Sequence, residues 1–117
     1  MKIKLLNGEE LELVNSFRVF MYFEEIAQHS LDFSNLTSND LLILFYSVFI
    51  SSLQKAKKSI ITYLEFLDII DENGGDRCVL EFTNFYIDLI KKQYSVLEDM
   101  QEEKQDDEPK DDSKKKN

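Results

Sequence analysis

A single cysteine, Cys78, leaves this chain no internal disulfide and suits a reducing compartment. One histidine, His29, rules out a two-histidine metal site, and any Ser-His-Asp triad would depend on it alone. Glycine occurs only at Gly8, Gly74 and Gly75, so there is no glycine-rich loop to cradle a phosphate. The longest apolar run, Leu41 to Ile50 (LLILFYSVFI), includes Ser47 and falls short of the ~20 residues a bilayer requires. The first residues lack the basic, apolar and small-residue order of a signal peptide. The expectation is a cytoplasmic protein with no membrane segment.

Positive charge is also scarce. Against 23 acids stand 14 bases, a formal net charge of −9. Residues 101–117 (QEEKQDDEPKDDSKKKN) carry seven acids and five lysines, so residues 1–100 keep 16 acids against nine bases. Such a body repels phosphate backbones and gains nothing from counterion release, which argues against a nucleic-acid partner.

What the chain does have is aromatic bulk: nine Phe and five Tyr without a tryptophan. Residues 1–100 suffice for one domain with one core, burying roughly two-thirds of the unfolded surface without staples. Residues 101–117 offer nothing to a core and read as a disordered, charged tail.

Residues 1–14 (MKIKLLNGEELELV) read as a β-hairpin around Asn7-Gly8. A two-residue loop would set Ile3 against Glu12 and Leu5 against Glu10. A three-residue loop, Leu6-Asn7-Gly8, pairs Ile3 with Leu11, Met1 with Leu13, Lys4 with Glu10 and Lys2 with Glu12. Segregated faces favour the longer loop. A lone hairpin is marginal in water, so its apolar face must lie on something.

A first helix should follow from Asn15 or Ser16, with Phe17, Phe20, Phe23 and Ala27 as its stripe and Val19 and Ile26 widening it. Residues 30–37 (SLDFSNLT) read as a loop. Thr37 and Asp40 form a capping box opening a second helix that runs to about Gln54. Thr62 and Glu65 form another, for a short third helix with Leu64, Leu67 and Ile70 inward. Asn73-Gly74-Gly75 should stop it. Asp76 can cap a last helix carrying Val79, Phe82, Phe85, Tyr86 and Leu89. The expected fold is mostly α: an N-terminal β-hairpin, a compact four-helix bundle and a disordered tail.

The search for chemistry finds no catalytic, cofactor or metal site. His29 sits near the end of the first helix, where an imidazolium suits the helix dipole. Cys78 stands beside Arg77, which lowers a thiol pKa, yet its place beside Val79 fits a packing residue. A calcium loop starting at Asp71 would need glycine sixth and glutamate twelfth; Asp76 and Phe82 occupy those positions. Glu24 and Glu25 are adjacent on a helix and do not converge. The expectation is a protein that binds rather than catalyses.

The second helix is apolar on nearly every side, which means burial on several sides or cover by a partner. Two readings stand for its rings and for the outer side of the third helix. Phe45, Tyr46, Phe49 and Ile50, with Tyr63, Phe66 and Ile69, either complete the core or form a patch that requires a partner. These seven are the candidate partner-binding residues. Self-association through the second helix is open to the same surface.

The order of elements resembles the tail assembly chaperones of long-tailed bacteriophages. A hairpin (KIKLLNGEELEL) leads to a helix with an aromatic-then-acidic close (FRVFMYFEEI). An apolar helix opened by Asp40 (DLLILFYSVF), a Thr-capped short helix (TYLEFLDIID) and a last helix with a charged tail follow. The resemblance covers about residues 1–92 and rests on pattern rather than an invariant motif. It implies a small, acidic, helical, non-catalytic protein that coats the tape-measure protein, keeps it soluble and helps bring tail-tube subunits to it. Such proteins act in the host cytoplasm and leave before the virion is complete. In many relatives a ribosomal frameshift near the gene's end yields a longer form; Lys115-Lys116-Asn117 is compatible with a slippery adenine run. The family's loop before the third helix is usually marked by proline, and here Lys57-Lys58-Ser59-Ile60-Ile61 has none.

A different class of function is an acidic inhibitor that mimics DNA and blocks a basic host protein. It accounts for the net charge but not for the surplus aromatics. An enzyme relying on an unrecognised partner is a third class, unsupported by any constellation of residues.

Overall fold

The computed structural model describes the backbone of residues 1–106 and the side chains of residues 1–93. It is mostly helical, with an N-terminal two-stranded hairpin and four helices. Two compact units divide the chain, Met1–Phe85 and Tyr86–Asn117.

Strands β1 (Lys2–Lys4) and β2 (Glu10–Glu12) pair antiparallel with Ile3 opposite Leu11, the register of the three-residue loop. The Leu5 amide donates to the Glu9 carbonyl at 2.7 Å and closes that loop, and Gly8 takes the left-handed φ of +91° its bulge requires. Alternation then does the rest: Ile3, Leu11 and Leu13 are buried, while Lys2, Lys4, Glu10 and Glu12 face water.

Helix α1 (Arg18–Ala27) begins one turn after the hairpin. The Ser16 hydroxyl oxygen accepts from the Arg18 amide at 3.1 Å, but Phe17, not Asn15 or Ser16, occupies the N-cap position, with no side-chain cap hydrogen bond. Gln28, left-handed at φ +64°, ends the helix. Of its expected stripe, Val19 and Phe23 are buried, but Phe17 and Phe20 face outward. The loop that follows contains a single 3-10 turn, Phe33–Asn35, capped by Asp32.

Helix α2 (Ser38–Lys55) and helix α3 (Tyr63–Glu72) both open with the expected capping boxes, Thr37 with Asp40 and Thr62 with Glu65. Helix α4 (Asp76–Asp106) begins at Asp76 itself after two left-handed glycines, Gly74 and Gly75. It continues through Asp106, so residues 101–106, expected within the disordered tail, are helical. The remainder of that expectation, 107–117, lies outside the described residues, as do the side chains of Tyr94, Val96 and Leu97.

The core of the first unit is an aromatic stack. Phe45 of α2 lies parallel on Phe82 of α4 with centroids 4.1 Å apart, and Phe66 of α3 meets both Phe45 and Phe49 edge-on at 5.1 and 5.4 Å. Small hydroxylated residues on α2 let other chain segments approach. Ser52 accepts from the Val14 amide at 2.9 Å, and Ser51 bonds Ser16 at 2.9 Å, pinning the hairpin exit to α2. Ser47 and Ser52 also return hydrogen bonds to Ile43 and Val48 one turn back, so no hydroxyl is stranded.

The hairpin is tied a second time, to the end of α3. The Asn73 side chain accepts from the Lys4 amide at 3.0 Å and donates to the Lys4 carbonyl at 2.9 Å. One amide thus pairs with β1 as a neighbouring strand would, and occupies part of the open edge. It donates to the Ile69 carbonyl as well, at 2.7 Å, a second bond to an oxygen that already accepts from the Asn73 amide.

Candidate functional site

The structure buries six of the seven candidate partner-binding residues and leaves Tyr63 partly exposed. Phe45, Phe49 and Phe66 are fully buried, Tyr46, Ile50 and Ile69 nearly so, and Tyr63 is half-buried. The expected patch is therefore corrected to core. The reason is the position of α2: every residue from Ile43 to Leu53 is buried, so its lack of a polar face reflects enclosure by its own chain. The Tyr46 hydroxyl donates to the Ile61 carbonyl at 2.6 Å, and its ring meets Tyr63 edge-on at 5.2 Å. On α3 the inward face is Phe66, Ile69 and Ile70, whereas Leu64 and Leu67, expected inward, are exposed and half-buried. Rotating the helix this way seats the Phe66 ring between two phenylalanines of α2, a larger gain than burying Leu64.

Apolar surface is left over elsewhere. Phe17, Phe20 and Met21 are 77, 41 and 61% exposed. Spaced i, i+3 and i+4, they share one side of α1, turned away from Val19 and Phe23. Glu24, at i+7, continues that side. The run FRVFMYF offers two helical stripes, and the expected one, with Phe17 and Phe20, is not the one that is buried. The signal for the other was present: Val19, Phe23 and Ala27 also recur at i, i+4 and i+8.

His29 joins the end of α1 to the start of α2. Its Nδ1 lies 2.8 Å from the Ser30 carbonyl oxygen and its Nε2 3.0 Å from Oδ1 of Asp40. Both ring nitrogens face acceptors, and only the imidazolium can donate to both. The Ser30 carbonyl, then the Asp40 carboxylate, raise its pKa above the ordinary 6.5. Burial works to raise that of Asp40, but hydrogen bonds from the Thr37 amide and from His29 outweigh it and leave the carboxyl lowered. At the end of α1, His29 is thus held by the Ser30 carbonyl first and by Asp40, itself the acid of a capping box, second.

Cys78 is buried, and burial, with Glu81 adding to it, pushes its thiol up to about 11. Desolvation outweighs any help from Arg77, and the thiol is a packing group. Among the described residues no three His, Cys, Asp or Glu side chains are grouped to hold a metal ion. No described helix is long and apolar enough to cross a membrane. Beside the hairpin turn a cavity of about 470 Å3 has Leu5, Leu53, Ile61 and Ile69 in its wall. At its rim Lys58 is closed onto Glu9 by an ion pair of 2.6 Å.

Neither protein-family models, nor curated proteins, nor solved structures give any match to this chain.

Proposed function

We propose that the protein is a tail assembly chaperone of a long-tailed phage. On this reading it binds the tape-measure protein, keeps it soluble in the host cytoplasm until the tube encloses it, helps recruit tail-tube subunits, and is not retained in the virion. The observation that carries the reading is apolar surface left outside an acidic helical body: Phe17, Met21, Leu64 and Leu80 are each more than half exposed on a chain of net charge −9. Exposed apolar side chains of this size are a liability unless something covers them, and a long helix with apolar faces waiting for its tube has the matching need. Charge turned outward then keeps the coated filament dispersed. The order of hairpin and helices, which resembles that family, supports the same function.

Co-expression tests it. A phage tape-measure protein should be recovered in the soluble fraction when co-expressed with this chain and in the pellet without it. Equal insolubility in both would refute the function.

A further inference from the structure

Helix α1 opens with FRVFM, four apolar residues in five, and a helix lying on a core can turn only part of such a run inward. Val19 takes the inward position, and Phe17, Phe20 and Met21 form a ridge on the outside. We propose that this ridge is a docking face for one amphipathic helix of a partner protein, a helix whose apolar stripe is bordered by lysine or arginine. The inference rests on the chaperone reading above and names the surface and the partner chemistry that reading leaves open.

Three observations select that occupant. The first is composition: two phenylalanines and a methionine are the residue types enriched at interface centres, and methionine adapts to partners of differing shape. Their i, i+3, i+4 spacing makes a ridge that fits the groove of another helix. The second is area. Side chains of this size at these exposures present roughly 350 Å2, less than half of the ~800 Å2 each side gives to a stable complex. A stable dimer of this chain needs more, whereas a partner that is coated by many copies and later released needs less at each site.

The third is charge. Glu24 extends the ridge and Glu25 flanks it, and among the described residues no ion pair engages either one. Arg18, beside Phe17, is turned onto α2 and donates to Gln54 Oε1 at 3.4 Å. The side chains that continue the ridge beyond Met21, Glu24 and Glu25, are acidic. A second copy would bring the same acids and a further −9, while a helix edged with lysine or arginine supplies their complement.

The probe is a fluorescent Leu/Lys peptide of about 20 residues, long enough for several turns of amphipathic helix. A scrambled peptide of equal composition and a Leu/Glu peptide are its controls. Fluorescence anisotropy should show binding of the Leu/Lys helix only, weakened in concentrated salt. The double variant Phe17→Ser, Met21→Ser, which replaces two side chains that are each more than half exposed, should lose about tenfold in affinity, as should Glu24→Lys, Glu25→Lys. Equal binding by the scrambled peptide, or by both variants, would overturn the proposal, as would a concentration-dependent dimer of the chain that the serine variant dissolves. Co-expression separates the two levels. If the wild-type chain rescues the tape-measure protein and the serine variant does so equally, the docking face is wrong and the chaperone function stands. If the wild type rescues nothing, the function fails whatever the peptide does.

Discussion

Replacing Phe45 by alanine tests the central finding, that the rings of α2 are core and those of α1 are surface. Phe45 has no exposed area, stacks on Phe82 at 4.1 Å with planes 3° apart, and meets Phe66 edge-on at 5.1 Å. Truncation removes the transfer energy of the ring, leaves a cavity, and deletes two ring-ring contacts. Buried phenylalanine to alanine changes of this kind remove about 3–5 kcal/mol. A domain of this size has a total stability of about 5–15 kcal/mol, so one substitution takes a large share of it. The control is Phe17→Ser, where an exposed ring is lost and the change should stay within about 0.5 kcal/mol. Urea titrations followed by far-ultraviolet circular dichroism give both values from the midpoints. A Phe45→Ala midpoint within error of the Phe17→Ser midpoint would show that the α2 rings are not packed as described, and would restore them as candidates for a partner surface.

Two further perturbations probe the joints of the fold. Asn73→Ala deletes both side-chain hydrogen bonds to Lys4, and because water can replace them at this exposed edge the loss should be about 1–2 kcal/mol. Hydrogen exchange should show the Lys4 amide losing protection selectively; unchanged exchange would mean the hairpin is held by its apolar face alone. His29 has a raised pKa, so its contribution is complete below its ordinary value of 6.5 and fades as pH climbs through the raised value. Asp40 is lowered, so its contribution is present above 3.8 and is lost as pH falls further. The pair is therefore strongest between about pH 4 and 6.5, and the melting temperature should drop as pH rises from 6 to 8. His29→Gln should flatten that slope, and an identical slope in the variant would remove the pair as its cause.

Features encoded locally were legible in the sequence. The hairpin register followed from which loop length kept Lys opposite Glu and Ile3 opposite Leu11. Both capping boxes needed only a threonine and an acid three residues on, and the stop after α3 needed only Asn73-Gly74-Gly75. What the sequence did not settle was which side of an all-round apolar helix faces inward. In α1 two stripes compete within FRVFMYF, and in α3 Leu64 and Phe66 are both plausible core residues. The choice depends on a ring finding two other rings across the protein, which no local pattern records. The Asn73 tie to Lys4 was illegible for the same reason, since 69 residues separate the partners. The candidate site was misplaced by this mechanism: bulk and lack of a polar face mark α2 as important, but the same signature describes a helix enclosed by its own chain.

Two sets of phenylalanines in one small protein then carry opposite consequences. Phe45, Phe49, Phe66 and Phe82 pack against one another and form the aromatic centre of the first unit. Phe17 and Phe20 make no such exchange, and their exposure in the free chain works against solubility, because each copy offers every other copy the same ridge. The surplus of nine acids opposes that encounter at long range, where charge acts before apolar surfaces touch. Under the docking proposal this repulsion is selective: it separates like copies and draws in a basic-edged helix, so the feature that keeps the chain apart from itself also selects what reaches the ridge. Under that proposal exposed aromatics and acidity are two halves of one device, and removing either half should leave an aggregating or an inert protein.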